Sequence, residues 1–243
     1  MDTKDIELHS LFEGRLSLYQ YKEGYRFSID TLLLAAFARE RLRGSVADLG
    51  TGSGVLPILL ARSPDIGPLT GFEIQPDLAD LALRNVELHK LAQRVSIEQA
   101  DIKEIRSLHK AESFDGAIAN PPFYPLGTGR INSGSQDAAA RHELLATLDD
   151  FVSAAAYLIK NGGKFCAIFP ATRSTDLLCT MRDNRIEPKV LRCVHSRSNE
   201  PAMMLLVEGI KNAGSQTAIL PPLVIYSTGQ TYSPEIVSMF ETL

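Results

Sequence analysis

The segment 48–54, with the sequence DLGTGSG, constrains the fold more than any other feature of this chain. It follows an apolar run that predicts a β-strand and precedes a run that predicts a helix. Its glycines allow a sharp turn and the close approach of a ligand to the backbone. Val55 stands where a dinucleotide-binding loop carries its third glycine, and the Gly-Lys-Ser/Thr of a Walker A loop is missing. The segment therefore predicts an α/β fold whose ligand is neither NAD nor FAD.

The alternation of short apolar runs with longer amphipathic runs predicts a mostly parallel sheet covered by helices. The predicted strands are Ser45–Leu49, Leu69–Phe72, Arg94–Glu98, Phe114–Ala119, Lys164–Phe169, Val190–His195 and Met203–Gly209. The predicted helices are Gly54–Arg62, Pro76–His89, Arg141–Ile159 and Ser174–Asn184. The segment Ser196–Ala202 is too short for a crossover helix, so the last two strands should pair antiparallel. Seven strands ending in such a pair describe the class I methyltransferase form of the doubly wound α/β fold.

The residues that precede this pattern are predicted to form an N-terminal extension, 1–44, that belongs to the same globule as the main domain, 45–243. Within the extension, strands at Leu16–Tyr21 and Tyr25–Phe27 predict a small hairpin. A helix follows from Thr31 to about Arg41, and Asp30 or Ser28 can cap it. The proline-containing tail, 220–243, is expected to pack over the sheet.

Composition limits the classes of function. The chain has 243 residues, 44% of them hydrophobic, and a net charge of −4, which argues against non-specific nucleic-acid binding over the whole surface but allows a local basic patch. Its three cysteines form no CxxC, and its five histidines lack metal-ligand spacing, so we expect reduced thiols and no metal site. The N-terminus does not resemble a signal peptide, and the longest apolar stretch, Leu32–Ala38, is too short to cross a bilayer. These features predict a cytoplasmic protein without membrane contact.

Three acidic residues each follow one of three successive predicted strands. Asp48 would face the amino end of a ligand, Glu73 would accept hydrogen bonds from ribose hydroxyls, and Asp101 would accept one from an adenine amino group while Ile102 packs on the ring. Together with the glycines they predict a site for S-adenosylmethionine. The predicted cofactor-binding residues of this part of the chain are Asp48, Gly50, Gly52, Gly54, Glu73, Asp101 and Ile102.

The fourth strand ends in Asn120, Pro121, Pro122 and Phe123, the predicted catalytic residues. Pro121 favours an extended Asn120, and the two prolines lack backbone donors, so nearby carbonyls can face a substrate. The Asn120 amide oxygen and the Pro121 carbonyl can both accept hydrogen bonds from one planar amino group, and Phe123 offers a face on which a base can stack. Such positioning suits methylation of adenine N6, cytosine N4, guanine N2 or glutamine N5.

The chain resembles the bacterial tRNA1(Val) adenine-N6 methyltransferase family over nearly its whole length. Besides the two motifs above, the resemblance is carried by segments 25–35 (YRFSIDTLLLA), 140–143 (ARHE), 199–201 (NEP), 222–226 (PLVIY) and 229–235 (GQTYSPE). It implies methylation of the adenine just 3′ of the anticodon and places Asp30 beside the donor pocket. Arg141, at the start of a predicted helix, could then meet a phosphate.

A basic stretch provides the second candidate for contact with RNA. Its cations are Arg182, Arg185, Lys189, Arg192 and Arg197. They outnumber the neighbouring acids and are expected at the edge of the sheet where Asn120–Phe123 (NPPF) lie, called the NPPF edge below. There they could hold an RNA backbone. A glutamine methyltransferase acting on a protein and a guanine-N2 rRNA methyltransferase stay open as alternatives. The first class usually has a longer helical N-terminal domain, and many members of the second have a duplicated domain. No obligate protein partner is evident.

Overall fold

The computed structural model describes residues 5–11, 14–22, 28–122 and 146–243. The strands are β1 (Ile6–Leu11), β2 (Leu16–Tyr21), β3 (Gly44–Leu49), β4 (Ile66–Glu73), β5 (Val95–Gln99), β6 (Phe114–Ala119), β7 (Ile159–Pro170), β8 (Ile186–His195), β9 (Ala202–Lys211), β10 (Ala218–Ile219), β11 (Leu223–Val224), β12 (Tyr226–Thr228) and β13 (Thr231–Tyr232). The helices are α1 (Ile29–Arg39), α2 (Val55–Leu60), α3 (Pro76–Leu88), α4 (Ile105–Leu108), α5 (Leu148–Leu158), α6 (Ser174–Asp183) and α7 (Pro234–Thr242).

The central sheet confirms the predicted class I methyltransferase arrangement. Its seven long strands lie in the order β5-β4-β3-β6-β7-β9-β8. Within the described residues, β9 is the one strand of these seven that runs antiparallel to its neighbours, β7 and β8. Because the other strands are parallel, their carboxyl ends meet at one edge, where ligands bind in folds of this kind.

The tail behaves differently from the expectation that it would pack over the sheet. Its short strands β10 and β11 pair in parallel with the outer edge of β8 and so extend the sheet. The last helix, α7, does pack on a face, with buried Ile236 and Phe240 in the same apolar core as α1, and Leu223 and Ile225 of the tail belong to that core as well.

Two apolar cores cover the two faces of the sheet, as the alternation of side chains along a strand requires. In β6, Ile118 points into the core that contains α1, α2 and α7, whereas Ala117 and Ala119 point into the core that contains α5 and α6. Leu16 and Leu18 of β2 belong to the first core and are fully buried. The N-terminal segment is thus packed into the same core as the sheet.

The N-terminal hairpin has a different partner strand from the predicted one. Leu16–Tyr21 is a strand, but it pairs antiparallel with the preceding Ile6–Leu11, with Ile6 opposite Tyr21. The other half of the predicted hairpin, Tyr25–Phe27, lies outside the described residues. The predicted N-terminal hairpin is therefore present, and Gly14, with φ +93°, lies between the two strands that form it.

Helix starts follow their capping residues. Ser28 caps α1, with its Oγ accepting from the Asp30 N–H at 3.3 Å, which confirms one of the two predicted caps. Helix α5 begins at Leu148, because Thr147 and Asp150 form a capping box. The prediction that this helix begins at Arg141 is therefore wrong, and Arg141 itself lies outside the described residues.

Asn85 of α3 joins three parts of the chain that are distant in sequence. Its side chain is fully buried, its Oδ1 accepts from the Tyr19 N–H at 2.7 Å, and its Nδ2 donates to the carbonyls of Tyr19 and Ser53 at 3.1 and 2.9 Å. One amide therefore binds the hairpin and the glycine loop to the same helix.

We expect Asn85→Ala to lower the free energy of unfolding by about 2–4 kcal/mol, because it leaves one buried and two partly buried backbone groups without their partner. Chemical denaturation measures the change. Asn161→Ala is the matched control, since exposed Asn161 only accepts a bond from the Asn212 side chain, and its effect should stay within about 0.5 kcal/mol. Equal effects for the two variants would contradict this role of Asn85.

Candidate active site

The glycine loop adopts a backbone that favours glycine at each of its three positions. Gly50, Gly52 and Gly54 have φ values of +72°, +58° and +80°. At Gly50 a Cβ atom would also lie 3.0 Å from the Phe151 ring. At Gly54 it would lie 3.1 Å from Ala82, so this glycine allows the close packing of α2 on α3.

Strand register brings the predicted residues to the same edge of the sheet. Leu49 is paired with Phe72 on one side and with Ala119 on the other. The residues that follow these three, Gly50, Glu73 and Asn120, therefore succeed one another across adjacent strands about 4.8 Å apart.

Glu73 is a buried acid that holds the loop. Its Oε2 accepts from the Gly52 N–H at 2.9 Å, and its Oε1 accepts from the Gln75 N–H at 3.0 Å. Burial raises the pKa of this carboxyl group, and the backbone donors of Gln75 and Gly52 oppose that rise. Each carboxylate oxygen can accept a further hydrogen bond, so Glu73 can hold the loop and bind ligand hydroxyls at once.

A pocket opens beside Glu73 on the α5 side of the sheet. Its lining consists of Gly50, Phe72, Glu73, Ile74, Ala100, Asp101, Ile102, Pro122, Ala146 and Phe151. Asp101 contributes only part of its hydrogen-bonding capacity, because its Oδ1 accepts from the Lys103 N–H at 2.9 Å and its Oδ2 lies 3.5 Å from Lys103 Nζ. The apolar side chains of Phe72, Ile102 and Phe151 can cover a planar ring.

Buried oxygen atoms without hydrogen-bond partners mark the α1 side of the same edge. They include both carboxylate oxygens of Asp48, Oδ1 of Asn120 and Oδ1 of Asp30. The other oxygen of Asp30 accepts from the Ser28 hydroxyl at 2.9 Å. Asp48 is paired in register with Ile118, so Asp48 and Asn120 lie on one face of adjacent strands. Buried acceptors of this kind are rare in folded proteins and indicate a ligand that donates hydrogen bonds.

Burial raises the pKa of Asp48 to about 7. The Thr51 hydroxyl lies beside the carboxylate, outside good hydrogen-bond geometry, and opposes the rise, whereas the charge of Glu73 adds to it. A bound cation would favour the ionised form and lower this pKa.

These residues fit S-adenosylmethionine. A buried carboxylate without a partner, Asp48, suits the donor's amino group, and Glu73 has remaining acceptor sites for ribose hydroxyls. The pocket around Ile102 suits the adenine ring, with Asp101 at its rim. Phe123, the last predicted catalytic residue, lies outside the described residues.

The basic stretch does not form one patch. Arg182 pairs with Glu187 at 3.2 Å, and Lys189 Nζ donates to the Gly214 carbonyl at 3.1 Å. Arg182 and Arg185 precede β8, so its ten residues, about 30 Å long, separate them from the carboxyl end. The expectation that these two lie beside the NPPF edge is therefore wrong: helix α6 returns the chain to the opposite edge before β8 begins.

Arg192 lies on the expected edge. It is paired with Leu206, which is paired with Ile168, and this places Arg192 level with Asn120, three strands away. Its side chain binds Glu235 and the Pro221 carbonyl, at 2.5 and 3.1 Å.

Arg197 follows β8 on the same edge. It binds Glu200 at 3.2 Å and the Gly229 carbonyl at 2.8 Å, and its guanidinium lies over the Tyr226 ring. Arg192 and Arg197 are thus each held by a carboxylate and a carbonyl.

Several residues of the site have no counterpart in the sequence-based prediction, and three of them contact the pocket, the glycine loop or Asn120. Phe151 lines the pocket, Asn85 holds the loop, and Thr31 contacts Asn120. Periodicity indicates only that Phe151 is buried, and no local pattern marks the other two.

The described residues contain no group of three or more His, Cys, Asp or Glu side chains placed to hold a metal ion. In the same part of the chain, every helix is too short or too polar to cross a membrane.

Comparison with known proteins places the chain in a family. A relative from Porphyromonas gingivalis named tRNA1(Val) (adenine(37)-N6)-methyltransferase is 29% identical, over 89% of this chain and 87% of that protein. A protein of the same name from Photobacterium profundum is 25% identical, over 89% of this chain and 90% of that protein.

Solved structures share the fold. A predicted O-methyltransferase from Agrobacterium tumefaciens gives a TM-score of 0.70 at 21% identity, over 88% of this chain and 96% of that one. A 16S rRNA N2 methyltransferase from T. thermophilus, solved with AdoMet and guanosine, gives 0.58 at 19% identity, over 85% of this chain and 50% of that one. The family described as Methyltransferase small domain matches residues 28–175. The chain therefore belongs to the Methyltransferase small domain family.

Proposed function

We propose that this methyltransferase transfers a methyl group from S-adenosylmethionine to the exocyclic N6 of an adenine in tRNA, namely adenine 37 of tRNA1(Val). The observation that carries methylation of an amino group is the buried Oδ1 of Asn120, which has no hydrogen-bond partner, on a residue whose backbone follows the strand pair Leu49–Ala119 beside the glycine loop. The relatives' names support the choice of tRNA and of adenine N6.

The donor side of the proposal rests on the two buried acids. S-adenosylmethionine supplies a methyl group activated by its sulfonium. Asp48 binds the donor's amino group, Glu73 accepts from the ribose hydroxyls while it keeps Gly52 in place, and Asp101 and Ile102 bind the adenine. Asp30 closes the α1 side of this pocket. The loop needs no large rearrangement, because its backbone is already held by Glu73 and Phe72.

The acceptor side of the proposal rests on position rather than on a strong base. Asn120 Oδ1 and the Pro121 carbonyl accept the two hydrogens of the adenine amino group, and Phe123 stacks on the base. The nitrogen lone pair then faces the methyl carbon, and positioning of this kind lowers the barrier. As the new C–N bond forms and the S–C bond breaks, the amine acquires a positive charge and releases one proton to water.

The remaining parts of the proposal concern contacts with the tRNA backbone, the localisation of the protein and its partners. Arg192 and Arg197 release their carboxylate partners, Glu235 and Glu200, and bind phosphates of the tRNA instead. Arg141 binds another phosphate. Segments 1–44 and 45–243 act as one unit in the cytoplasm, where tRNA is found, without an obligate protein partner.

Methylation assays with labelled S-adenosylmethionine test the proposal. The protein is incubated with total tRNA or with total cell protein, and the modified nucleoside or residue is identified after digestion. N6-methyladenosine at position 37 of tRNA1(Val) is the expected product. Label in methylglutamine or in N2-methylguanosine would replace the proposal with one of the alternatives.

Asn120→Ala should lower the rate of methyl transfer by about 10²–10³, because it removes a group that acts on the acceptor in the transition state. Donor affinity should stay within about twofold, since Asn120 does not contact the donor. Single-turnover methylation and calorimetry measure the two quantities. A rate within a few-fold of the unmodified protein would show that the NPPF segment is only a turn.

Donor affinity should fall as the pH is lowered from 7.5 to 5.5. The pKa of Asp48 is raised to about 7 in the free protein, so its carboxylate is protonated at the lower pH and cannot pair with the donor's ammonium. If only the ionised form binds, affinity falls about tenfold for each pH unit below that pKa. Calorimetry over this range measures the effect.

Asp48→Asn provides the control for this pH dependence. Its affinity should be weak and nearly constant between pH 5.5 and 7.5, because the substituted side chain does not titrate. A persistent pH dependence in this variant would assign the titration to another group.

The salt dependence of tRNA binding tests the two arginines. Replacing Arg192 and Arg197 with Gln should flatten the log–log slope by about 1.4, because each lost contact with a single-stranded phosphate contributes about 0.7. The matched double variant, Arg182→Gln with Arg185→Gln, removes the same charge from the opposite edge and should keep the original slope. Filter binding over a salt series measures both, with thermal unfolding as a check of folding. Equal slopes for the two double variants would contradict the proposed contacts.

A further inference from the structure

The amide of Asn120 contacts the N-terminal helix. Its Nδ2 lies 3.4 Å from Oγ1 of Thr31, in the first turn of α1, whereas its Oδ1 has no partner. Thr31 is 4% exposed, so this contact is shielded from water. The side chain that is assigned to the acceptor is thus oriented by a residue outside the sheet.

The oxygen of an amide group accepts hydrogen bonds, whereas its nitrogen donates them. The orientation of the Asn120 amide therefore decides whether it can accept a hydrogen bond from an amino group. With Nδ2 turned toward Thr31, the free Oδ1 can accept a hydrogen bond from an amino group. In the reverse orientation, an NH2 group would face the substrate's NH2 group, and two donors would meet. A threonine hydroxyl can donate as well as accept, so it is the observed contact, in which Oγ1 accepts from Nδ2 and Oδ1 stays free, that corresponds to the productive orientation.

We propose that Thr31 is a positioning residue that orients the Asn120 amide, so that Oδ1 faces the acceptor amine. The inference rests on the proposed role of Asn120. It extends the reaction machinery to the N-terminal segment, which supplies Thr31 from a helix that precedes the glycine loop.

The surroundings of Thr31 hold it in place. Ser28 caps α1 one turn earlier and also binds Asp30, while the next seven residues, Leu32–Ala38, are all buried. Since both ends of the first turn are fixed, Thr31 has a defined position relative to the end of β6. A rigid support of this kind is what a positioned catalytic amide requires.

Two substitutions separate the hydroxyl from the shape of Thr31. Thr31→Val keeps the branched side chain and removes the acceptor, and we expect its kcat for methylation of total tRNA to fall about tenfold at saturating donor. Thr31→Ser keeps the acceptor and should retain kcat within about twofold. The affinity for S-adenosylmethionine and the KM for tRNA should change little in either variant.

Thr217→Val is the matched control, because it removes a hydroxyl that donates to the Pro188 carbonyl at 2.7 Å, near the opposite edge of the sheet. Its kcat should equal that of the unmodified protein. Thermal unfolding of each variant identifies any loss of structure. If Thr31→Val is unstable, the comparison of kcat for Thr31→Ala with that for Thr31→Ser isolates the hydroxyl, because both variants lack the methyl group and only the serine keeps the acceptor.

A double-mutant cycle tests whether Thr31 acts through Asn120. Thr31→Val should have no further effect in the Asn120→Ala background, because the group that it orients is already gone. Unchanged kcat in Thr31→Val, or equal effects in both backgrounds, would overturn the inference. Failure of the proposed function is a distinct result, because the unmodified protein would then not methylate tRNA at all.

Discussion

The active-site edge of this methyltransferase depends on one buried carboxylate. Glu73 ends β4 and accepts the Gly52 N–H, so the loop that follows β3 is bound to the neighbouring strand. The Phe72 carbonyl adds bonds from Gly50 and Thr51, both at 2.9 Å. Because the loop is bound there, its glycines keep their positive φ values, the pocket stays open beside Phe151, and Asp48 stays covered. In the proposed function the same acid also accepts from the ribose hydroxyls, which would couple the geometry of the loop to donor binding.

Electrostatics at this edge favour a cationic ligand. Asp48 and Glu73 are both buried, and burial raises both pKa values. An ionised Asp48 has no cation beside it among the described residues, so its charge costs stability as the pH rises from 3.8 toward 7. A ligand with an ammonium group removes that cost. The proposed binding of the ammonium group of S-adenosylmethionine at Asp48 would thus offset a destabilisation that the free protein carries.

Local sequence patterns predicted the sheet and the residues at its edge because these depend on short-range rules. Glycines after a strand must turn, acids at strand ends must meet where parallel strands end, and prolines remove donors. The N-terminal hairpin was predicted as well, but its strand β1 was not, since the partner of β2 is not set by local sequence alone. The basic stretch was assigned to one edge because charge counts ignore the 30 Å or so that a ten-residue strand spans. Thr31 and Asn85 act on groups 89 and 66 residues away, and no local pattern carries that information.

The short strands β10 and β11 affect how the protein meets other copies of itself in solution. A long edge strand such as β8 presents a row of free backbone donors and acceptors, which another chain can extend into an intermolecular sheet. Here the chain's own tail occupies that row opposite Val190–Leu191 and Val194–His195. Each covering strand has only two residues, too few to serve as a template in turn. The tail thus protects the outer edge of the sheet from self-association.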